Sequence, residues 1–351
     1  MEANITFIIN SISQLHYPTD RLDVRLVIEE DDNLTIKELA ILQIPPHFQI
    51  IKVPPSIPRT KPKALNYAAQ DIIGKYVVIF DAEDRPDRLQ LMKALQHFNK
   101  LDSSYICLQA KLNYYNTNEN ILATMQSIEY AILFNYLLPG LANTGNFIPL
   151  GGTSCYFKTC TLRRIGFWDA FNVTEDLDLG IRIYLQGYKT AILNSTTLEE
   201  AVLTIFAWLQ QRTRWIKGFM QSYIVFCHNR NRFNLSILQR LVIDIIVGIG
   251  IFNFIIPVYF FITPEYNTLL KITIYSSSIL GILYLIGSAM VTIYQKELAT
   301  RNRTIKNLQI ILLFPFYFVL HTIASYLALF QLATAPFKWN KTLHGISKLM
   351  Q

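Results

Sequence analysis

Four clusters of polar side chains along this chain have the types and spacing that chemistry needs. Asp31 and Asp32 close the stretch VIEEDD. Asp81, Glu83 and Asp84 follow the apolar run YVVIF. Glu175 and Asp176, with Asp178 close behind, open the pattern NVTEDLDLGIR, and Gln211, Arg214 and Trp215 lie in QQRTRW. A D-x-E pair such as Asp81 and Glu83 offers hard oxygens to a divalent cation, which in turn neutralises a diphosphate. A separate carboxylate can then act as general base toward an incoming hydroxyl. Gln211, Arg214 and Trp215 stand at i, i+3 and i+4 of a helical pattern, one patch of one face. From there an arginine can pair with phosphate and an indole can stack on a sugar or a base. Each cluster also has a plainer use. Acids in a first turn stabilise the helix dipole by about 0.3–1 kcal/mol, Thr174 is placed to be the N-cap, and an interfacial helix commonly carries a snorkelling Arg and a Trp.

The elements that must position these residues follow from periodicity. A helix is expected over about 4–15, with Ile5, Ile8, Ile9 and Ile12 on one side. Strands are expected at 22–28, 48–53, 75–80, 104–112 and 188–194, and helices at 63–73, 87–99, 119–138, after residue 174 and over 200–227. Gly187 is placed to end the helix that starts at the acids. Such alternation predicts a doubly wound sheet of parallel strands buried on both faces. Its ligand crevice lies at the carboxyl ends of the strands, where "RLVI" runs into EEDDN and "YVVIF" into DAEDRP. The glycines of LGGTS (150–154) permit close approach of backbone to a ligand.

Composition sets the surroundings. Hydrophobic residues make up 51% of the 351 and charged residues only 16%, so part of the chain is expected in lipid. No charged side chain occurs in 245–264, 272–295 or 307–337. A spanning helix needs about 20 apolar residues, so the first two runs are expected to cross. The third contains Pro315 and exceeds the bilayer core, and is expected to be broken into a crossing or re-entrant part and an interfacial helix. The resulting division is 1–199 α/β domain with the acidic clusters, expected to be the catalytic domain, 200–235 amphipathic interfacial helix, 236–337 transmembrane region and 338–351 basic tail. The net charge of +7 favours anionic membrane lipids. No basic run interleaved with aromatics suggests nucleic acid. The start MEANITFIINSISQL lacks the pattern of a signal peptide, and Lys296, Arg301, Arg303 and Lys306 agree with a cytoplasmic N-terminal domain. The expected location is the inner (plasma) membrane, multi-pass. Cys107, Cys155, Cys160 and Cys227 form no metal or disulfide pattern.

In this order and spacing, VIEEDD, KPKALNYA, FDAEDRP, IPLGGTSCYF, FNVTEDLDLGIR and QRTRWIKG resemble the membrane-helix-bearing family 2 glycosyltransferases, the group that includes cellulose and hyaluronan synthases. The likeness covers nearly the whole chain. It implies an α/β fold: a type A glycosyltransferase domain, Rossmann-like and nucleotide-sugar-binding, followed by C-terminal transmembrane helices. It further implies inverting transfer from a nucleotide sugar, a UDP-sugar foremost, with Mg²⁺ or Mn²⁺, to a lipid or glycan acceptor. Carried over, Asp32 contacts the nucleotide with Asp31 beside it, and Lys63 lies near the diphosphate. Asp81 and Glu83, with Asp84 adjacent, form the metal site. Of the acids Glu175 and Asp176, Asp176 is the base, and Gln211, Arg214 and Trp215 hold the donor diphosphate and the acceptor end. The chain departs from the family in its Asp-Ala-Glu metal motif. It also begins at MEAN, where the family has an apolar strand running into an N-E-A-N-like turn. An absent first strand leaves a non-catalytic or split-gene remnant as the alternative. A membrane scaffold or transporter fits less well, because intramembrane charge is nearly absent and Asp244 stands close enough to the end of a crossing to reach the interface.

Overall fold

The structure is a computed structural model describing residues 5–229 and 304–338, with a few isolated positions besides. The two expected crossings at 245–264 and 272–295 lie essentially outside the described residues. Helix α1 (Ile5–Ser13) buries Ile5, Ile8, Ile9 and Ile12, the expected stripe. It packs with β1 (Val24–Glu29), α2 (Asn33–Ile41) and β2 (Phe48–Val53) in a small core completed by Leu26, Ile28, Leu39 and Phe48. Strands β1 and β2 are parallel.

The remaining strands form a second sheet. Helix α3 (Lys61–Ala68) leads to β3 (Tyr76–Ile79) and the short β4 (Arg85–Pro86). Then come α4 (Gln90–Lys100), β5 (Tyr105–Tyr114), α5 (Ile121–Ile132), β6 (Cys155–Lys158), α7 (Thr159–Ile165), α8 (Glu175–Leu185) and β7 (Lys189–Glu199). Helix α5 runs through a π-helical turn (Leu133–Leu137) into α6 (Leu138–Asn143). The strand order is β3-β6-β5-β7-β4. Only β5 and β7 pair in parallel; β6 runs antiparallel to both β3 and β5, and β4 to β7. The expected all-parallel sheet is therefore corrected to a mixed one. The connection from β5 to β6 contains α5 and α6 and is long enough for a crossover, so the direction of β6 is set by its antiparallel pairing with β3 and β5. Among the described residues β1 pairs only with β2 and β3 only with β6, so each keeps one edge without a strand.

Against this layer pack two long helices, α9 (Ile205–Asn229) and α10 (Thr304–Thr334). Their core with α5 holds Ile128, Trp208, Ile216, Phe314, Tyr317, Ala324 and Ala328. Where a break at Pro315 was expected, α10 is one continuous helix. A proline removes one hydrogen bond, and packing on α9 holds the two turns in line. Among the described residues, two helical segments are long and apolar enough to cross a membrane, Ile121–Asn143 and Gln309–Thr334. The first is 56% buried inside the fold, as a core helix is. The second buries one face and leaves Leu312, Phe316, Val319, Ile323 and Phe330 on the other.

Candidate active site

The register of β3 on β6 builds the floor of the site. Ile79 stands opposite Cys155, so the chain leaving β3 lies beside the chain entering β6. Ser154 N donates to Ile79 O at 2.7 Å. Thr153 Oγ1 donates to the same carbonyl and to Asp84. Asp84 is fully buried, and its Oδ2 also accepts from Asp81 N at 2.7 Å, closing the turn that carries Asp81 and Glu83. Burial, then the charges of Asp81 and Glu83, hold its carboxyl well above the usual carboxylate range. Asp84 thus braces the loop through the bonds its Oδ2 accepts from Asp81 N and Thr153.

Lys61, the first residue of α3, spans this floor. Its Nζ is ion-paired with Asp81 and donates to Gly152 O at 2.9 Å. Burial lowers its affinity for a proton, but Asp81 and Glu175 outweigh burial and the net shift is upward. Lys63, expected at the diphosphate, is turned to Glu29 at 2.9 Å and to Pro54 O. At about 100° of helix rotation per residue, two lysines two positions apart point to different sides. The seating of α3 places Lys61 at Asp81 and Lys63 at Glu29.

Helix α8 brings its N-terminus to Gly152. Thr174 occupies the N-cap position as expected, yet its hydroxyl makes no cap bond. It faces α9 instead: a Cβ at Gly218 would lie 2.3 Å from Thr174 Oγ1, so a residue without a side chain lets the two helices meet. Gly152, with φ +83°, leaves room for the Asp176 carboxylate, whose Oδ2 would be 3.1 Å from any Cβ there. Glu175 is buried, and burial reinforced by Asp176 pushes its pKa up to about 8. Burial also raises Asp176, against the attraction of Lys61 and Arg214. Asp178, the third acid, is bound to Arg182 at 2.7 Å and belongs to the helix.

Arg214 on α9 completes the cluster. Burial lowers its proton affinity, and Glu175, Asp176, Asp81 and Glu83 all act to raise it. One cation therefore sits within electrostatic reach of two acidic groups more than ninety residues apart in sequence. Gln211 is buried with its Oε1 lacking a hydrogen-bond partner. Trp215 lies 6.4 Å from Tyr130, nearly parallel to it. Glu199, at the end of β7, was not foreseen; burial and then Asp84, Glu83 and Asp81 raise its pKa well above normal. Asp31 and Asp32 are differently employed. Arg59 grips Asp31 through both oxygens at 2.6 and 2.7 Å, and Asp32 caps α2 through Thr35 N at 3.2 Å.

A divalent cation is tested by this donor set. Among the described residues no three His, Cys, Asp or Glu are grouped as a metal cage. Asp81 and Glu83 supply hard oxygens of the kind Mg²⁺ and Mn²⁺ take, and such ions are often held by one or two carboxylates plus substrate phosphates. The residues fit a cation that is shared with a diphosphate.

The comparisons with known proteins agree with this frame. Residues 76–339 match the profile of glycosyl transferase family group 2, more than half of the chain. The chain belongs to that family and carries its glycosyltransferase domain. It is 31% identical over 228 residues to the beta-monoglucosyldiacylglycerol synthase of Synechocystis sp. (strain ATCC 27184 / PCC 6803 / Kazusa), covering 64% of this chain and 46% of the relative. It is 24% identical over 253 residues to the probable glycosyltransferase YdaM of Bacillus subtilis (strain 168), covering 70% of this chain and 58% of the relative. The chain thus spans about half the length of these curated relatives. Among solved structures, the mannosyltransferase PcManGT from Pyrobaculum calidifontis, in complex with GDP-Man and Mn²⁺, superposes with a TM-score of 0.59. The identity is 15%, over 93% of this chain and 82% of that one. That likeness shows a shared type A glycosyltransferase fold with a mixed sheet.

Proposed function

We propose that this protein transfers a sugar, with inversion, from a nucleotide-sugar donor to a lipid acceptor at the cytoplasmic face of a membrane. The observation that carries the reading is the convergence of Lys61, Asp81, Glu83, Asp176 and Arg214 from four separate segments of the chain. Lipid is favoured over glycan as acceptor because the Synechocystis relative is named for a glucosyldiacylglycerol product. The apolar outer face of α10 also offers a surface for acyl chains. UDP-sugars remain the expected donors.

Asp176 takes the proton of the acceptor hydroxyl as that oxygen attacks the anomeric carbon, and the bond to the nucleotide diphosphate breaks on the opposite side. Its raised pKa, a result of burial, makes it a better base than a solvated carboxylate. Arg214 and Lys61 face the charge that grows on the leaving diphosphate. Asp81 and Glu83 would hold a divalent cation, whose part is to neutralise that diphosphate. Trp215 forms an aromatic platform for the acceptor end, and Gln211 offers its amide to the same patch.

A second reading, a non-catalytic relative, draws on Asp31, Asp32 and Asp81 already having partners within the chain. One experiment separates the two. Full-length protein in vesicles containing diacylglycerol is given radiolabelled UDP-glucose and UDP-galactose with Mn²⁺. Labelled glycolipid is expected, absent in excess EDTA. Asp176→Asn should lower transfer about 10²–10⁴-fold with donor affinity near wild type. No product from any nucleotide sugar, with no donor binding by calorimetry, would leave the non-catalytic reading standing.

A further inference from the structure

The motif QQRTRW contains an arginine that neither the catalytic reading nor the sequence comparison assigns a task, Arg212. It is 5% exposed. Its Nη2 donates to Glu129 Oε2 of α5 at 2.7 Å. The same carboxylate oxygen accepts from Tyr317 OH of α10 at 2.7 Å, and Trp208 Nε1 donates to that Tyr317 oxygen at 3.3 Å. His321 stands 4.0 Å from the other Glu129 oxygen. Three helices are therefore tied together by one carboxylate.

A buried ion pair is a poor source of stability, because desolvation offsets its attraction and apolar residues of similar volume do as well. What this pair supplies is orientation. The Arg212 guanidinium lies 4.4 Å from the ring centre of Trp215 and 5.5 Å from that of Trp208. Trp208, Arg212 and Trp215 stand at i, i+4 and i+7 of α9, one face turned to α5 and α10. Arg214 flanks that face on the side of the acids. Trp215 belongs to both patches. A planar guanidinium fixed at its edge by Glu129 has a defined face on which an indole can rest, which an ammonium does not.

We propose that Arg212, clamped by Glu129 and Tyr317, is a positioning residue that fixes the ring plane of Trp215 for the acceptor. The proposal rests on the reading of Trp215 as an acceptor platform, and the test distinguishes the two. The chain has four tryptophans, which 5-fluorotryptophan labelling resolves by fluorine NMR in the full protein. Arg212→Lys and Glu129→Gln should shift and broaden the Trp215 signal and leave that of Trp168, whose ring packs on Phe157 and Phe167. In the transfer assay both variants should raise the acceptor KM about 10–100-fold, the scale of a catalytic group misplaced by an ångström, while the donor KM stays within about twofold of wild type. The double variant Arg212→Met/Glu129→Met retains the volume without the charges. It should fold with an unchanged melting temperature and show the same displaced Trp215, which a merely structural role does not produce. A Trp215 signal unmoved in folded Arg212→Lys and in the double variant would overturn the proposal. A displaced Trp215 with unchanged acceptor KM would uphold the positioning and overturn the acceptor role of Trp215.

Discussion

At the scale of single residues, the two neighbouring acids of α8 have separate duties. Glu175 is buried and raised to about 8 from an ordinary 4.5, so the folded state holds its proton more tightly than the unfolded chain does. The stability it contributes is present below about pH 4.5 and is lost as pH rises through about 8. Urea midpoints measured from pH 5 to pH 9 should therefore fall, and Glu175→Gln should flatten that slope; an equally steep fall in the variant would assign the effect elsewhere. Asp176 is half-buried beside Gly152, and we propose that it is the acid that meets the substrate. The lysines make a second contrast. Lys61→Met removes the cation at Asp81 and is expected to weaken donor binding at least tenfold, about 1.4 kcal/mol. Lys63→Met breaks a pair with Glu29 away from the acids and should change donor affinity by less than threefold. Titration calorimetry of both variants checks the assignment, and the reverse ranking would return the diphosphate to Lys63.

At the scale of elements, the site depends on how closely α8 and α9 approach. Gly218 is the contact point, with Thr174 pressed against it. Gly218→Ala places a methyl into that contact, and overpacking of this kind costs about 1–3 kcal/mol. The helices must part, carrying Arg214 away from Glu175 and Asp176. Loss of both stability and transfer is expected, with recovery in Gly218→Ala/Thr174→Gly, where the opposing side chain is gone. A fully active Gly218→Ala single variant would show that the approach is looser than drawn. Lys217 anchors the next helix in the stack: its Nζ donates to Lys338 O at 2.8 Å and to Ala335 O, beyond the end of α10. Helix α9 thus reaches α10 both through this lysine and through Glu129.

At the scale of the molecule, both long helices leave large apolar side chains exposed. Leu312, Phe316, Val319 and Phe330 of α10 are exposed, and so are Ile205, Phe206, Ile224 and Val225 of α9. With a net charge of +7, a membrane with anionic lipid is the surface we propose it meets. Co-sedimentation should be stronger with anionic than with zwitterionic vesicles, and should weaken with salt as charges are screened over a Debye length of about 10 Å at 0.1 M. Phe316→Asp/Phe330→Asp should lower vesicle transfer while leaving donor binding intact. Equal partitioning of wild type and variant would remove that face from the membrane.

Local pattern determined much of this protein. The apolar stripe of α1, the bounds of β2 and the acid-led start of α8 follow from spacing that each segment carries by itself. The types of the site residues, and their grouping into acids, an arginine and an indole, were equally plain in DAEDRP, TED and QQRTRW. What neighbours decide could not be read there. Strand direction in β6 is a property of its partners β3 and β5. The continuity of α10 through Pro315 rests on packing against α9. Lys61 rather than Lys63 meets Asp81 because of the rotation at which α3 is seated. Asp84 braces its loop because the β3–β6 register brings Thr153 onto it. Arg212 finds its carboxylate on a helix more than eighty residues earlier. Each of these depends on contacts between segments distant in sequence, and such contacts exist only once the chain has folded.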